Sequence, residues 1–178
     1  PLLLLLPLGL SACGSMGDTP PNVLILCMDT LRADRLGCYG GTQNLTPHLD
    51  ALAGNGLRFT QFYNTARCWP TRAALLTGYY AQQVRRDIIP GVPKGVRTGG
   101  RGRRPTWAQL LPVMLRTAGY RSYHSGKWHI DGMPLKNGFD RSYYLGDQGR
   151  FFSPRVHFED DKRLPAVERG TGYYATNA

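Results

Sequence analysis

The sequence predicts an α/β fold built around a mostly parallel β-sheet, and two observations support this. Residues 21–30 form a short apolar run that ends in an acid, without alternation of polar and apolar residues. Such a run is typical of a strand buried on both faces of a parallel sheet. The elements that follow it are predicted in the order helix, strand, helix, and 42% apolar residues in a chain of 178 can support a core.

The first predicted strand ends at Asp29. Open α/β sheets gather ligands at the carboxyl ends of their strands, so Asp29 is a candidate binding residue. The alternative for an isolated Asp is a surface position at the start of a turn. Cys27, on the same strand, is predicted to be a small buried residue.

A helix is predicted to begin after Thr46. Thr46 is a suitable N-cap, Pro47 suits the first helical position, and Asn55-Gly56 ends the helix. Residues 57–62 then alternate as expected for a strand, and this strand leads towards Cys68.

Residues 68–78 are the most informative segment. Cys68 precedes a proline that can open a helix, Arg72 follows one turn later, and a Thr-Gly pair closes the helix. The unpaired N–H groups and the positive dipole end at a helix start favour negative charge by about 0.3–2 kcal/mol. The segment therefore places a nucleophile where anions bind. The alternative is a buried structural Cys in front of a proline-initiated helix.

A further helix is predicted to end at Gly119. Thr106 and Gln109 have the spacing of a capping box, but Pro112 lies too deep for the first turn of a helix that begins there. We therefore expect Pro112 to kink this helix or to restart it. Residues 119–129 follow and end in Gly-Lys-Trp-His, with Lys127 and His129 at the boundary between a strand and a loop.

Two landmarks resemble those of type I sulfatases. The first is C-x-P-x-R followed by L-x-T-G, which begins at Cys68, and the second is the G-Y…G-K-W-H of residues 119–129. Shorter similarities at residues 138–140 and 172–178 extend the resemblance from Pro21 to the end of the sequence. The resemblance implies the α/β/α sandwich of the alkaline phosphatase superfamily and the hydrolysis of aryl or carbohydrate sulfate esters.

The resemblance also implies a mechanism. Cys68 is expected to be converted by a maturation enzyme to formylglycine, whose hydrate attacks sulfur, expels the alcohol and then releases sulfate. Arg72 is expected to stabilise the aldehyde hydrate. Lys127 would neutralise the tetrahedral anion, and His129 would donate to an ester or nucleophile oxygen.

A divalent cation is part of the same expectation, namely Ca²⁺, with Mg²⁺ or Mn²⁺ as alternatives. Asp29 and the modified Cys68 would be ligands of this ion. The family commonly has a second acid where this sequence has Thr30, whose neutral hydroxyl is a weaker oxygen donor. Residues 32–35 also depart from the Gly-rich turn of the sulfatase pattern, and they are similar to related bacterial sulfatases and to phosphonate or phosphodiester hydrolases of the same superfamily. Phosphonate or phosphodiester hydrolysis is the alternative within the enzyme class.

The first residues predict export from a bacterial cell. Residues 1–10 resemble the apolar core of a secretory signal and are too short to span a membrane. Residues 10–13 match a lipobox, in which Cys13 would be lipidated and would anchor the protein to a membrane in the periplasm or at the outer membrane. Residues 14–20 would form a tether and residues 21–178 the N-terminal part of a catalytic domain. The alternative is a plain cleaved signal.

The resemblance leads us to expect a fragment that is inactive by itself. Type I sulfatases place another Asp with Asn or His, and a further Lys, well downstream of the second landmark. After Asp147 the sequence contains no such segment. We therefore expect an incomplete metal site and an incomplete sheet.

The net charge of +10 is concentrated in one segment. Seven basic residues lie between residues 85 and 104 in a region rich in Gly and Pro: Arg85, Arg86, Lys94, Arg97, Arg101, Arg103 and Arg104. This loop either attracts polyanionic substrates such as sulfated polysaccharides or is a solvated insertion without a partner. Nucleic acid is not an expected partner, because the loop lacks aromatic platforms. A lipid-anchored protein that binds anionic polymers without turnover is the alternative outside the enzyme class.

Overall fold

The computed structural model describes residues 20–43, 45–85 and 104–175. The chain divides into two compact units, Pro1–Arg58 and Phe59–Ala178. The predicted signal, the lipobox Cys13, nearly all of the tether and most of the basic loop lie outside the described residues. Within the described ranges, no helix is long and apolar enough to cross a membrane.

The described part of the first unit contains one α-helix, α1, which spans Pro47–Gly54 and is followed by its C-cap Asn55, as predicted. Thr46 precedes it, but its side chain makes no capping bond to the helix. The Thr46 hydroxyl instead donates to the Asp50 carboxylate (3.1 Å) and accepts from the Gly37 N–H (3.0 Å). Asp50 also accepts the Cys38 N–H (2.7 Å), so α1 is tied to the short 3₁₀ turns at Ala33–Arg35 and Gly37–Tyr39.

The first predicted strand is not formed. Residues 20–28 have no strand assignment and their apolar side chains are exposed, with Leu24 at 80%. The predicted strand at residues 57–62 is also absent, and Cys27 is exposed rather than buried. A strand depends on a hydrogen-bonded neighbour, and the described sheet lies entirely within residues 123–163.

In the second unit, residues 59–85 and 104–175 contain two α-helices and a mixed four-stranded sheet. Helix α2 spans Cys68–Thr77 and α3 spans Leu111–Arg116. The strands are β1 (Tyr123–Lys127), β2 (Arg141–Leu145), β3 (His157–Glu159) and β4 (Lys162–Arg163), in the order β1-β2-β3-β4. The β1–β2 pair is parallel and the other two pairs are antiparallel. A 3₁₀ turn at Leu135–Asn137 connects β1 to β2.

Helix α3 begins where Pro112 can occupy its first turn, so the prediction of a helix restart is confirmed. Residues 106–109 form a turn and bends rather than a capping box. Gly119, with φ of +82°, ends this region in the left-handed conformation that only Gly adopts without strain.

Two small clusters of buried apolar residues lie in the described part of the second unit. Ala73 of α2 packs with Val84 and Ala108 in the first. Leu110, Trp128 and Ile130 form the second, and Leu76, Phe139 and Tyr144 pack against it. Because Leu76 belongs to α2 and Trp128 follows β1, the second cluster joins the Cys68 helix to the end of β1.

Candidate functional site

Cys68 lies in the first turn of α2, directly after Arg67. The helix therefore begins two residues before Pro70, which is buried as its third residue. The Gly78 N–H bonds to the Ala74 carbonyl (2.9 Å), and Gly78 has a φ of +74°, so the predicted Thr-Gly stop is confirmed. Cys68 is a half-buried free thiol at the end of the helix where amide N–H groups lack intrahelical acceptors.

Arg72 connects α2 to the second landmark. It lies four residues after Cys68, on the same face of the helix. Its Nη1 donates to the main-chain oxygen of Lys127, with 2.5 Å between the two atoms. Arg72 and Lys127 are 55 positions apart in the sequence, and a charge-assisted hydrogen bond joins them in the structure.

Lys127 and His129 flank a buried anchor. Lys127 is the last residue of β1, and His129 follows in the loop with a left-handed φ of +53°. Trp128, between them, is 2% exposed and donates its indole N–H to the Gly132 carbonyl (2.9 Å). Since Trp128 is locked in the core, the backbone on both sides of it is held in place. The sequence analysis did not recognise this role, although the Trp of Gly-Lys-Trp-His was its signal.

His124 is a second residue that the sequence analysis missed. Its ring packs edge-on against Trp128 (5.3 Å between centroids) and Phe139 (5.5 Å). Burial lowers the pKa of His124, and the nearby Arg72 charge lowers it further, against opposing contributions from main-chain hydrogen bonds at Lys127 and Tyr143. The lowered pKa favours the neutral form of the His124 imidazole, which is carried by the same strand, β1, as Lys127.

Backbone strain is concentrated beside the candidate site residues. Five non-Gly residues in the described ranges have positive φ, and they include Thr30 (+60°), Ala66 (+51°) and His129 (+53°). Such conformations cost about 1–3 kcal/mol each and are common at functional sites. Ala66 precedes Cys68 by two residues, and its N–H bonds to the Asn64 side chain (2.6 Å). The loop that delivers Cys68 is therefore held by local bonds.

Two of the predicted metal ligands lie in the first unit. Asp29 and Thr30 lie in an exposed turn of the first unit, and their carboxylate and hydroxyl oxygens are the kind of donor that hard divalent cations prefer. Among the described residues, no group of three His, Cys, Asp or Glu side chains converges to hold a metal ion. The donor chemistry fits such an ion, but the described donor set is too small to hold one alone.

Residues 21–163 match the family model described as Sulfatase. The chain belongs to the sulfatase family. It is 36% identical to human N-acetylgalactosamine-6-sulfatase over 89% of this chain and 30% of that protein, and 40% identical to bovine arylsulfatase A over 78% and 28%. A structure solved in complex with its substrate D-glucosamine-2-N,6-O-disulfate aligns with a TM-score of 0.60 and 31% identity, over 82% of this chain and 26% of that one.

These relatives confirm the α/β fold class and the membership in the formylglycine-type sulfatases of the alkaline phosphatase superfamily. The family generally uses formylglycine and a divalent metal ion. This sulfatase chain spans about 30% of the length of the curated relatives that it matches. The sheet in its described part is mixed, with one parallel and two antiparallel pairs.

Proposed function

We propose that this protein hydrolyses sulfate esters and that Cys68 is the precursor of its nucleophile. The observation that carries the proposal is the hydrogen bond from Arg72 to the Lys127 carbonyl, because it joins the two motifs of the family in one structural unit. Two elements are needed to bind a sulfate group. The first is the start of a helix, which accommodates an anion, and the second is a lysine, here Lys127 at the end of the adjoining strand.

Cys68 is proposed to be oxidised to formylglycine by a maturation enzyme, and the hydrated aldehyde supplies a nucleophilic hydroxyl at this position. Arg72 keeps a positive charge one turn from residue 68. The ammonium group of Lys127 stabilises negative charge on the sulfate oxygens, and His129 donates a proton to the ester oxygen that leaves. The strained backbone at His129 is consistent with a side chain held in one direction for this task.

The same proposal includes a divalent cation, Ca²⁺ or otherwise Mg²⁺ or Mn²⁺. Asp29 would contribute a charged oxygen and Thr30 a weaker neutral one, and the modified residue 68 would supply another. The cation would bind oxygens and act as a Lewis acid.

The proposed substrate is a sulfated sugar or an aryl sulfate. Two lines of similarity support it: the relatives are named N-acetylgalactosamine-6-sulfatase and arylsulfatase A, and the structural neighbour was solved with a disulfated glucosamine. Phosphonate or phosphodiester hydrolysis is the second candidate, because residues 32–35 depart from the Gly-rich turn of the sulfatase pattern. In the structure Ala33–Arg35 form a 3₁₀ turn, and Arg32 makes an ion pair with Asp34.

The proposal is tested by peptide mass spectrometry of residue 68 after expression of the full-length gene product together with a maturation enzyme. Formylglycine at position 68, with faster release of sulfate than of phosphate or phosphonate from matched esters, is the expected result. Unmodified thiol in cells that modify a control sulfatase would favour the non-catalytic, anionic-polymer-binding alternative. Faster phosphodiester or phosphonate turnover would favour the second candidate.

We also propose that the protein is exported and anchored through a lipid on Cys13. The support is the apolar run before a lipobox-like Leu-Ser-Ala-Cys in the sequence. Labelling of the protein with a radioactive fatty acid, lost in Cys13→Ala, is the expected result. A protein released without lipid would indicate a plain cleaved signal instead.

A further inference from the structure

The loop between β2 and β3 leaves the sheet at the same edge as the candidate catalytic residues. Strands β1 and β2 are parallel, and Lys127 pairs with Leu145 at their carboxyl ends. The carboxyl ends of parallel strands share one edge, so residues 146–156, which follow Leu145, begin beside Lys127 and His129. In this loop Arg150, Phe151 and Phe152 are exposed.

An aromatic platform is built on this loop. Phe152 stacks against Tyr174 with ring centroids 5.0 Å apart and planes inclined by 16°. The two rings remain 64% and 40% exposed, so each keeps an outer face open to solvent. Because burial of aromatic area is favourable, a ligand ring laid on this exposed pair would be stabilised by the contact.

The platform has a rigid support beneath it. The Ala175 N–H bonds to the Phe151 carbonyl (2.7 Å), which brings Tyr174 to Phe152. Tyr173, the preceding residue, lies 2.6 Å from the Tyr143 hydroxyl on β2. The Tyr143 hydroxyl in turn contacts Nδ1 of the buried His157 (3.3 Å).

His157 completes this support from β3. Its Nε2–H donates to the Pro165 carbonyl (2.7 Å), which leaves Nδ1 as the acceptor for Tyr143. Tyr173 is thus anchored inward while Tyr174 faces outward. A platform whose rings are already ordered loses little conformational entropy when it binds a ligand.

Positive charge lies at the border of the platform. Arg150 and Arg155 flank the two phenylalanines in the sequence and are both exposed. Asp147 holds this segment, since its carboxylate accepts the main-chain N–H of Arg155 (2.7 Å) and lies 3.8 Å from Nε of Arg150. Arg150 and Arg155 carry two positive charges and Asp147 carries one negative charge, so the border of the platform has a net positive charge. A guanidinium binds sulfate oxygens through paired N–H donors.

We propose that Phe152, Tyr174 and Arg150 bind the sugar ring and the second sulfate of a sulfated saccharide while its reacting sulfate lies at Lys127. This rests on the proposed sulfatase activity and adds the substrate class: a pyranose with at least two sulfate groups. The C–H face of the ring would stack on Phe152 and Tyr174, and Arg150 would bind the sulfate that does not react.

The test compares two substrates of the full-length gene product, a disulfated glucosamine and the small monosulfate 4-nitrophenyl sulfate. Phe152→Ala and Arg150→Gln should each raise KM for the disulfated sugar about tenfold, as for loss of one interface anchor, with little change in kcat. The loss in kcat/KM should be smaller for 4-nitrophenyl sulfate, which has no second sulfate, so the ratio of kcat/KM for the disulfated sugar to that for 4-nitrophenyl sulfate should fall in both variants. Tyr123→Ala is the matched control, since Tyr123 is a 61% exposed ring at the opposite end of β1.

Equal kinetics for Phe152→Ala and Tyr123→Ala on the disulfated sugar would overturn the proposal. Equal losses on both substrates would also overturn it, because the platform would then bind any ring. Calorimetric titration of the sugar into the Cys68→Ala variant, with and without Phe152→Ala, measures binding without turnover. Binding that depends on Phe152 in a protein that hydrolyses neither ester would refute the sulfatase function and still support this surface.

Discussion

Residues 23–28 and residues 123–127 both lead to a candidate site residue, and only the second segment is a strand. The first is Val-Leu-Ile-Leu-Cys-Met, as apolar as a buried strand requires, yet its side chains are exposed. The second is Tyr-His-Ser-Gly-Lys, which has little β-propensity, yet it pairs with β2 along its whole length. Strand formation in this protein follows the availability of a ladder partner rather than apolar content.

The difference extends to the candidate site. β1 is held by β2 on one side and by the Arg72 bond at its end, so Lys127 has a defined position. Asp29 and Thr30 follow the unpaired segment and lie exposed in a turn. The candidate nucleophile and anion-binding residues are thus placed by packing within the second unit, whereas the candidate metal ligands Asp29 and Thr30 follow a segment of the first unit that has no strand assignment.

The largest expected effect on turnover is that of substituting Cys68, with Cys38 as the matched control. Cys68→Ala should reduce sulfate release to the background level, because no other group at the start of α2 can be converted to a nucleophile. Cys38→Ala, in the first unit and also half-buried, should keep wild-type turnover. Sulfate release by the purified full-length gene product, with thermal unfolding as a check of folding, measures both. Residual turnover in Cys68→Ala would exclude this residue as the nucleophile.

Lys127 gives the next effect. Lys127→Ala should lower kcat about 10²–10³-fold, the usual loss for one group that stabilises developing charge. The matched control is Lys136→Ala, an exposed lysine in the 3₁₀ turn before β2, which should change kcat less than about twofold. Steady-state kinetics on one sulfate ester measures kcat for both variants. Equal rates for the two variants would remove Lys127 from the reaction.

Local signals in the sequence predicted the local structure well. Pro47 with Asn55, Pro112 and the Thr77-Gly78 pair mark helix ends that the structure has, because helix starts and stops depend on the chain within a few residues. The placement of Lys127 and His129 at a strand end was also predicted. These features need no information about distant segments.

The remaining features depend on distant contacts and were not predicted. Whether residues 23–28 pair depends on neighbours that a periodicity pattern does not identify. The ring contacts of His124 with Trp128 and Phe139, and the bond from Arg72 to the Lys127 carbonyl, arise from strand pairing and packing. None of these leaves a spacing in the sequence.

A pair of leucine substitutions tests whether residues 23–28 are exposed while the residues packed beside β1 are buried. Leu110→Ala should lower the free energy of unfolding by about 2–5 kcal/mol, because Leu110 is fully buried beside Trp128. Leu24→Ala should cost less than about 0.5 kcal/mol, because Leu24 is 80% exposed. Urea unfolding of the full-length gene product measures both. A loss for Leu24→Ala as large as for Leu110→Ala would show that residues 23–28 are buried there and would restore the predicted strand.

The smallest effect concerns the dependence of stability on pH. The folded-state pKa of His124 is lowered from 6.5, mainly by burial, so the unfolded chain binds this proton more tightly than the folded one. Stability from the neutral imidazole is therefore present above about pH 6.5 and is lost as the pH falls below it. His124→Leu fills the same apolar site without a proton to bind. The variant should lose less stability than the wild type between pH 7 and 5, with Tm differing by about 2–4 °C for each kcal/mol.

The matched control for this measurement is His48→Leu in α1, where the imidazole is exposed and no apolar cluster surrounds it. Between pH 7 and pH 5, His48→Leu should lose as much stability as the wild type does. Melting curves at pH 5 and 7 for the three proteins separate the possibilities. An equal acid loss in the wild type and in His124→Leu would mean that a cation beside Arg72 is tolerated at no cost. The burial of His124 beside Trp128 and Phe139 would then not make the fold sensitive to acid.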